Sequence, residues 1–398
     1  MLAGYARGRG NTEDVSRTSG MVLTALALVA VLAVGCFVLL NDSDYSEAAG
    51  ETSGSCGENL TWSYDSQTSV LSIDGTGDMK DYQNIYAPWR SYGIKSVIIS
   101  EGVTSVGYGA FSGCTSLSEV IFPTTMVELK DAAFSGCSSL SSIELPDNLI
   151  RIGANAFTYA SFKTFVTNAN CEEIGEYAFY KCTSLESVII SDSVKTIGKG
   201  AFEDCVKITS MSLPCSLSYP SPIFNWTEYS RDLIYFTITK GVDGHFADLS
   251  KGYVNAPWHI TTRPVRIVIS EGVLDIGKSA FSGCASIGYD DTTVERSGII
   301  YVEFPSTLKS INDYAFDRCY SLLRLDLPAN LEYIGKYAFA NCSWDYDAEH
   351  WTSHQWGLIE LNLPKYVKII DEGAFYKCHF LDRISFNENL EVIGALAF

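Results

Sequence analysis

Residues 117–157 read LSEVIFPTTMVELKDAAFSGCSSLSSIELPDNLIRIGANAF. The stretch holds one pattern twice. Leu117, Val120 and Phe122 precede Pro123; Leu140, Ile143 and Leu145 precede Pro146. In each case the first, fourth and sixth residues of a short strand point inward. The proline ends the strand, because it has no N–H to give to a ladder. Leu149 and Ile152 then return to the core, Gly153 permits a tight turn, and Ala156–Phe157 open a short helical turn whose ring fills the space between coils.

The Ala-Phe pair is the most regular mark of this unit. Its phenylalanine stands at Phe111, Phe134, Phe157, Phe179 and Phe202, in steps of 22 or 23 residues. It returns at Phe281, Phe316, Phe339, Phe375 and Phe398, where two of the steps are lengthened by insertions of 12 and 13 residues. A single unit of this length leaves two apolar edges bare. Stacked units cover each other's edges by pairing every strand with the next in a parallel ladder. A period of roughly 20–29 residues with this apolar spacing is the leucine-rich-repeat pattern. The expected fold is therefore a repeat solenoid with a parallel strand ladder and short turns or helices.

The repeat core, with a proline after the strand, an isoleucine-glycine step, Ala-Phe and a cysteine three residues on, resembles the BspA-like surface leucine-rich-repeat family. The resemblance covers residues 56–398. It implies a solenoid at a cell surface and an adhesive role, and it supplies no catalytic residues.

The period is interrupted between Phe202 and Phe281, and what stands there is a duplication. YAPWRSYGIKSVIISEGVTSVGYGAFSGC (residues 86–114) corresponds to VNAPWHITTRPVRIVISEGVLDIGKSAFSGC (residues 254–284), each with an Ala-Pro-Trp step at Trp89 or Trp258. Upstream, NLTWSYDSQTSVLSID (59–74) and NWTEYSRDLIYFTIT (225–239) both look like a strand hairpin. A solenoid end needs a cap, so residues 56–90 are expected to form a β-type N-terminal cap. The second of these lead-in segments either restarts the stack or is accommodated within it. The first alternative is favoured, with one lead-in and repeat module over 56–217 and a second over 218–398. The latter stops in mid-repeat at Phe398, as a piece of a longer protein or a coil covered by a partner would.

Residues 21–40, MVLTALALVAVLAVGCFVLL, carry no charge. As a helix they would extend about 30 Å, the thickness of a bilayer's hydrocarbon core. Arg7, Arg9 and Arg17 precede them, and Asp42, Asp44, Glu47 and Glu51 follow. The positive-inside rule then gives a cytoplasmic tail at 1–20, a transmembrane signal anchor at 21–40, a flexible stalk at 41–55 and an extracellular repeat region. A cleaved secretion signal, or lipidation at Cys36 after Ala33-Val34-Gly35, stays open as an alternative.

A formal charge of −19 repels phosphate backbones, so nucleic acid is not an expected partner. No GxSxG, HExxH, P-loop or dinucleotide pattern occurs, and no catalytic residue, metal ligand or cofactor is expected. Eight of twelve cysteines hold one repeat position, from Cys114 to Cys378. Stacked coils lie about 4.8 Å apart, within disulfide reach, yet a column of buried thiols is the simpler expectation. Cys56 and Cys215, outside the column, are the candidates for specific bridges. Candidate binding residues fall in two places. Outward strand positions on the concave face form a column in which Ile98, Ile121, Val166 and Ile189 are apolar, with Glu144 between them. The insertion at 343–357 holds Trp344, Trp351 and Trp356, and aromatic residues at a surface suit an interface. The expected partner is an extracellular protein or glycan; the alternative is a surface component that self-associates.

Overall fold

The computed structural model describes residues 52–83, 86–217, 221–224, 234–248, 264–284, 298–344 and 356–398. The apolar run 21–40, the stalk before residue 52, and Trp351 lie outside the described residues. Among the described residues no helix is long and apolar enough to cross a membrane.

The chain begins with antiparallel strands Ser53–Ser55, Gly57–Asp65 and Val70–Met79. Alternation buries Leu60, Trp62, Leu71 and Ile73 on one face. The third strand then switches to parallel pairing, with Ser96–Ile99 along one part and Val103–Val106 at its far end. The antiparallel hairpin thus covers the first edge of the stack, as a cap must. Trp89 sits beneath it, fully buried. Its ring lies 5.5 Å from Trp62, 5.5 Å from Tyr82 and 5.7 Å from Phe111, and its Nε1–H donates to the Ala110 carbonyl at 2.9 Å. The Ala-Pro-Trp step is therefore the cap's own version of Ala-Phe, with a larger ring.

Most later coils contribute to two parallel ladders. The first joins Ser96–Ile99 to Glu119–Ile121. The next coil forms no strand, and a separate six-stranded parallel sheet then runs through Thr164–Val166, Ser187–Ile189, Ser210–Pro214, Ile234–Thr239, Pro264–Ile269 and Gly298–Glu303. Glu360–Asn362 and Arg383–Ser385 continue the pattern. The boundary expected after residue 217 borders residues 218–220, outside the described residues. On both sides of it the strands belong to one ladder, and Ile234–Thr239 of the second lead-in pairs in parallel with both neighbours. The second ladder consists mostly of two-residue strands at the isoleucine-glycine step, such as Glu128–Leu129, Arg151–Ile152 and Glu173–Ile174.

Between the ladders, the phenylalanines stack through the core. Neighbouring rings lie 4.9–5.7 Å apart from Phe111 to Phe202 and from Phe281 to Phe398. Phe224 continues the first column 5.9 Å beyond Phe202, and the Phe202 N–H bonds to Ile223 as other coils bond to alanine. At residues 221–224 the stack thus carries Ile-Phe in place of Ala-Phe.

Three local expectations change. Residues 140–146 of the quoted unit form no strand, although Leu140 is fully buried. Gly153 has an ordinary φ and serves close approach instead of a turn. A Cβ there would stand 2.6 Å from the Asp131 nitrogen and the Lys130 carbonyl carbon of the preceding coil. The Ala-Phe segment is a chain of tight turns and not a helix. Residues two before and two after the phenylalanine take left-handed φ, as in Tyr177 (55°) and Lys181 (56°), or Tyr314 (58°) and Arg318 (60°).

The described cysteines are all buried and free, Cys56 and Cys215 included. In the repeat column each of six thiols has a use. Cys137, Cys182, Cys205, Cys319, Cys342 and Cys378 donate to the phenylalanine carbonyl of the coil before, at 3.0–3.2 Å. Cys215 likewise donates to Lys240 and His245 carbonyls, at 3.0 and 3.2 Å.

Candidate functional site

The register of the first ladder aligns its outward residues. Ile98 opposes Ile121, Val166 opposes Ile189, and Ser212, Thr237, Val268 and Glu303 follow in line. Inward neighbours Val97, Val120, Phe165 and Val188 are buried, so alternation forces these side chains out. Ile98, Ile121, Val166 and Ile189 are between 39% and 52% exposed, which is high for β-branched apolar residues held in a sheet. Glu144, at the same repeat position, interrupts them. Ser212 and Thr237 end the apolar run, and Val268 beyond them is half-buried. All four are exposed, Ile98 beside Ile121 in one sheet and Val166 beside Ile189 in another.

A second outward column lies two residues earlier on each strand and was not anticipated from the sequence. In its first half it holds Ser96, Glu119, Thr164, Ser187 and Ser210. Then it changes to Tyr235, Arg266 and Tyr301, aligned by register. Arg324 follows at the same repeat position. The Arg266 guanidinium stands 5.0 Å from the centre of the Tyr301 ring. Arg324 Nε donates to Asp326 at 2.8 Å, which raises the pKa of Arg324. Arg383 reaches Glu360 at 3.3 Å, and Asn362 Nδ2 donates to Glu360 at 3.1 Å. Reading both outward positions of each strand, instead of one, would have found this column.

The tryptophan insertion is placed only at its base. Ser343–Trp344 pairs antiparallel with Trp356–Gly357, so the backbones of Trp344 and Trp356 stand opposite each other. Ser343 anchors that base to the next coil, donating to the Lys377 carbonyl at 2.6 Å and accepting from the His379 N–H at 3.1 Å. Residues 345–355, with Trp351, lie outside the described residues. Among the described residues no group of histidine, cysteine and carboxylate side chains is arranged to hold a metal.

Comparison with known proteins bears on the fold. The family model for the BspA type leucine rich repeat region matches in six copies, over residues 86–209, 150–287, 259–346 and 352–398. A comparison with curated proteins finds no match. Among solved structures, a leucine-rich repeat protein from Bacteroides ovatus is 22% identical. The alignment covers 86% of this chain and 91% of that one, with a TM-score of 0.35. One from Eubacterium ventriosum is 18% identical over 75% of this chain and 98% of that one, with a TM-score of 0.37. A leucine rich cell surface protein from Faecalibacterium prausnitzii is 16% identical over 87% and 94%, with a TM-score of 0.26. The family model spans well over half of the chain, in the same coils whose rings, thiols and strands stack in register. The chain belongs to the BspA-type leucine-rich-repeat family.

Proposed function

We propose that this chain is a cell-surface binding scaffold, held at the membrane through residues 21–40, whose open strand face takes up another protein. The observation that carries the reading is the apolar column Ile98, Ile121, Val166 and Ile189, exposed on a chain of charge −19. Ile98 and Ile189 stand on strands paired on both sides, so the backbone groups there are already taken up. A partner therefore binds through side chains, and burying apolar area is the main gain available to it. The tryptophan insertion, on the side of the coil before the strand, is a second contact of the same partner.

The test uses the full chain in detergent against a panel of immobilised extracellular matrix proteins. Binding is expected, and Ile121→Glu with Ile189→Glu is expected to weaken it at least about tenfold. Equal binding by the double variant would remove the column from the mechanism. Light scattering that grows with concentration, without any matrix ligand, would replace this reading by self-association. Deleting residues 21–40 is expected to move the protein from the membrane fraction to the soluble one.

A further inference from the structure

The second outward column changes character where the first loses its apolar residues, and its chemistry differs from that of a protein-binding patch. Tyr235, Arg266 and Tyr301 are aligned by register as ring, guanidinium, ring, and Arg324 takes the same repeat position in the next coil, outside any strand. Tyr235 is 42% exposed. The Arg266 guanidinium stands over the Tyr301 ring, 5.0 Å from its centre. Arg324 is fixed by Asp326, and Asn362 by Glu360. Side chains held by their neighbours lose little further freedom when a ligand arrives.

Charge narrows the ligand. Along the strip Arg266, Arg324 and Arg383 stand among Glu303, Asp326 and Glu360. The strip is locally neutral on a chain of −19. Arg324 and Arg383 are already matched by carboxylates, so an anionic polymer gains little from them, and the surrounding field repels it. A cationic one would be drawn to the acidic surface generally and not to this strip. The matching ligand is neutral, with donors and acceptors for the edges of guanidinium, carboxylate and amide groups, and with C–H faces for the rings. Tyr235 and Arg266 stand on strands paired on both sides, so an extended peptide cannot add itself there by backbone pairing. Successive coils rise by about 4.8 Å, and one pyranose with its glycosidic oxygen covers about that distance.

We propose that Tyr235, Arg266, Tyr301, Arg324 and Asp326 form a binding strip for a neutral linear polysaccharide that runs along the stack, about one sugar per coil. Tyr235 and the Arg266–Tyr301 pair carry the sugar faces. The Arg324–Asp326 pair offers a donor and an acceptor to adjacent hydroxyls. The strip is separate from the apolar column and stands or falls without it.

The test is affinity electrophoresis of the full chain in mild detergent, through native gels that contain galactomannan, xyloglucan, mixed-linkage β-glucan or dextran, with polygalacturonate as the acidic comparison. Retardation by at least one neutral polysaccharide and none by polygalacturonate is expected. Tyr301→Ala and Arg266→Ala should each weaken it about tenfold, while Ile121→Glu leaves it unchanged. Arg324→Gln, at a largely exposed side chain, separates binding from folding: its melting temperature should match the parent while its retardation falls. The proposal is overturned if none of the four neutral polysaccharides retards the chain. It is equally overturned if only polygalacturonate does, or if Arg324→Gln is retarded like the parent.

Discussion

The thiol column makes a quantitative prediction about chemistry at a cell surface. Burial raises the thiols of Cys56, Cys114 and Cys378 from 9.0 to about 12, and that of Cys171 to about 11. Alkylation and disulfide exchange both proceed through the thiolate. At pH 8 a shift from 9 to about 12 lowers the thiolate fraction by about three orders of magnitude, and closed packing slows the reaction further. Native full-length protein treated with iodoacetamide at pH 8 should therefore leave the described cysteines unlabelled on a timescale that fully modifies an unfolded control. Peptide-resolved mass spectrometry reads each site separately. The same protein exposed to a mild thiol oxidant should yield no disulfide between column neighbours such as Cys182 and Cys205, because each thiol already donates to a phenylalanine carbonyl. The sign for stability follows. Folded thiol pKa values above the unfolded value favour the folded state below about pH 9, and that contribution fades as pH rises toward about 12. Rapid native labelling at Cys114 or Cys378, or a Cys182–Cys205 bridge formed without loss of fold, would refute the buried-thiol account.

Three further outcomes follow from the stack. Phe179 is fully buried among Phe157, Phe165 and Phe202, so Phe179→Ala should cost about 3–5 kcal/mol in urea unfolding. A loss below about 1 kcal/mol would mean that the ring column does not hold the coils together. Arg318 takes left-handed φ in the second turn of its coil. Relief of strain outweighs glycine's added chain entropy there, so Arg318→Gly should raise stability by about 0.5 kcal/mol, read from the same denaturation curves. Glu101 and Glu271 accept backbone N–H groups of Thr124 and Ser306, which lowers both carboxyl pKa values. Their contribution is present above the usual carboxyl range and is lost as pH falls through the lowered values. Carboxyl NMR titration should show both midpoints below those of the unfolded chain, and Glu→Gln at both sites should flatten acid unfolding.

The stack is legible in the sequence because one residue type, phenylalanine after alanine, keeps phase through nearly every coil. Legibility fails where volume is conserved and identity is not. Phe224 stands 22 residues after Phe202, but Ile223 replaces the alanine; Trp89 stands 22 before Phe111, but Pro88 separates it from Ala87. Both rings occupy the core column. Matching ring volume and phase would extend the stack to Trp89 at one end and through Phe224 toward the second lead-in. Gly153 looks like a turn residue within its own repeat, yet its constraint comes from the neighbouring coil's backbone, which no single repeat contains. The left-handed residues are invisible for a different reason. Tyrosine, lysine and arginine do not signal positive φ; the closed coil imposes it on whatever residue stands there.

The outward positions carry a different kind of information from the inward ones. Every buried strand residue is constrained by the coils above and below, so it reports on stacking alone. An outward residue is constrained only to tolerate a sheet. Strand propensity accounts for Ile98, Ile121, Val166 and Ile189 as well as binding does. It does not account for Arg266 and Arg324, because arginine brings no strand preference and serine or threonine fills the same column in earlier coils. Nor does propensity explain why the change occurs at the second lead-in, within a ladder whose inward residues stay apolar across it. A ladder uniform inside and divided outside has two faces in sequence along one axis, an apolar one and a polar-aromatic one. A partner that met only the apolar face would leave Arg266 and Arg324 without a cause in the fold, which is why the two columns have separate ligands and separate variants.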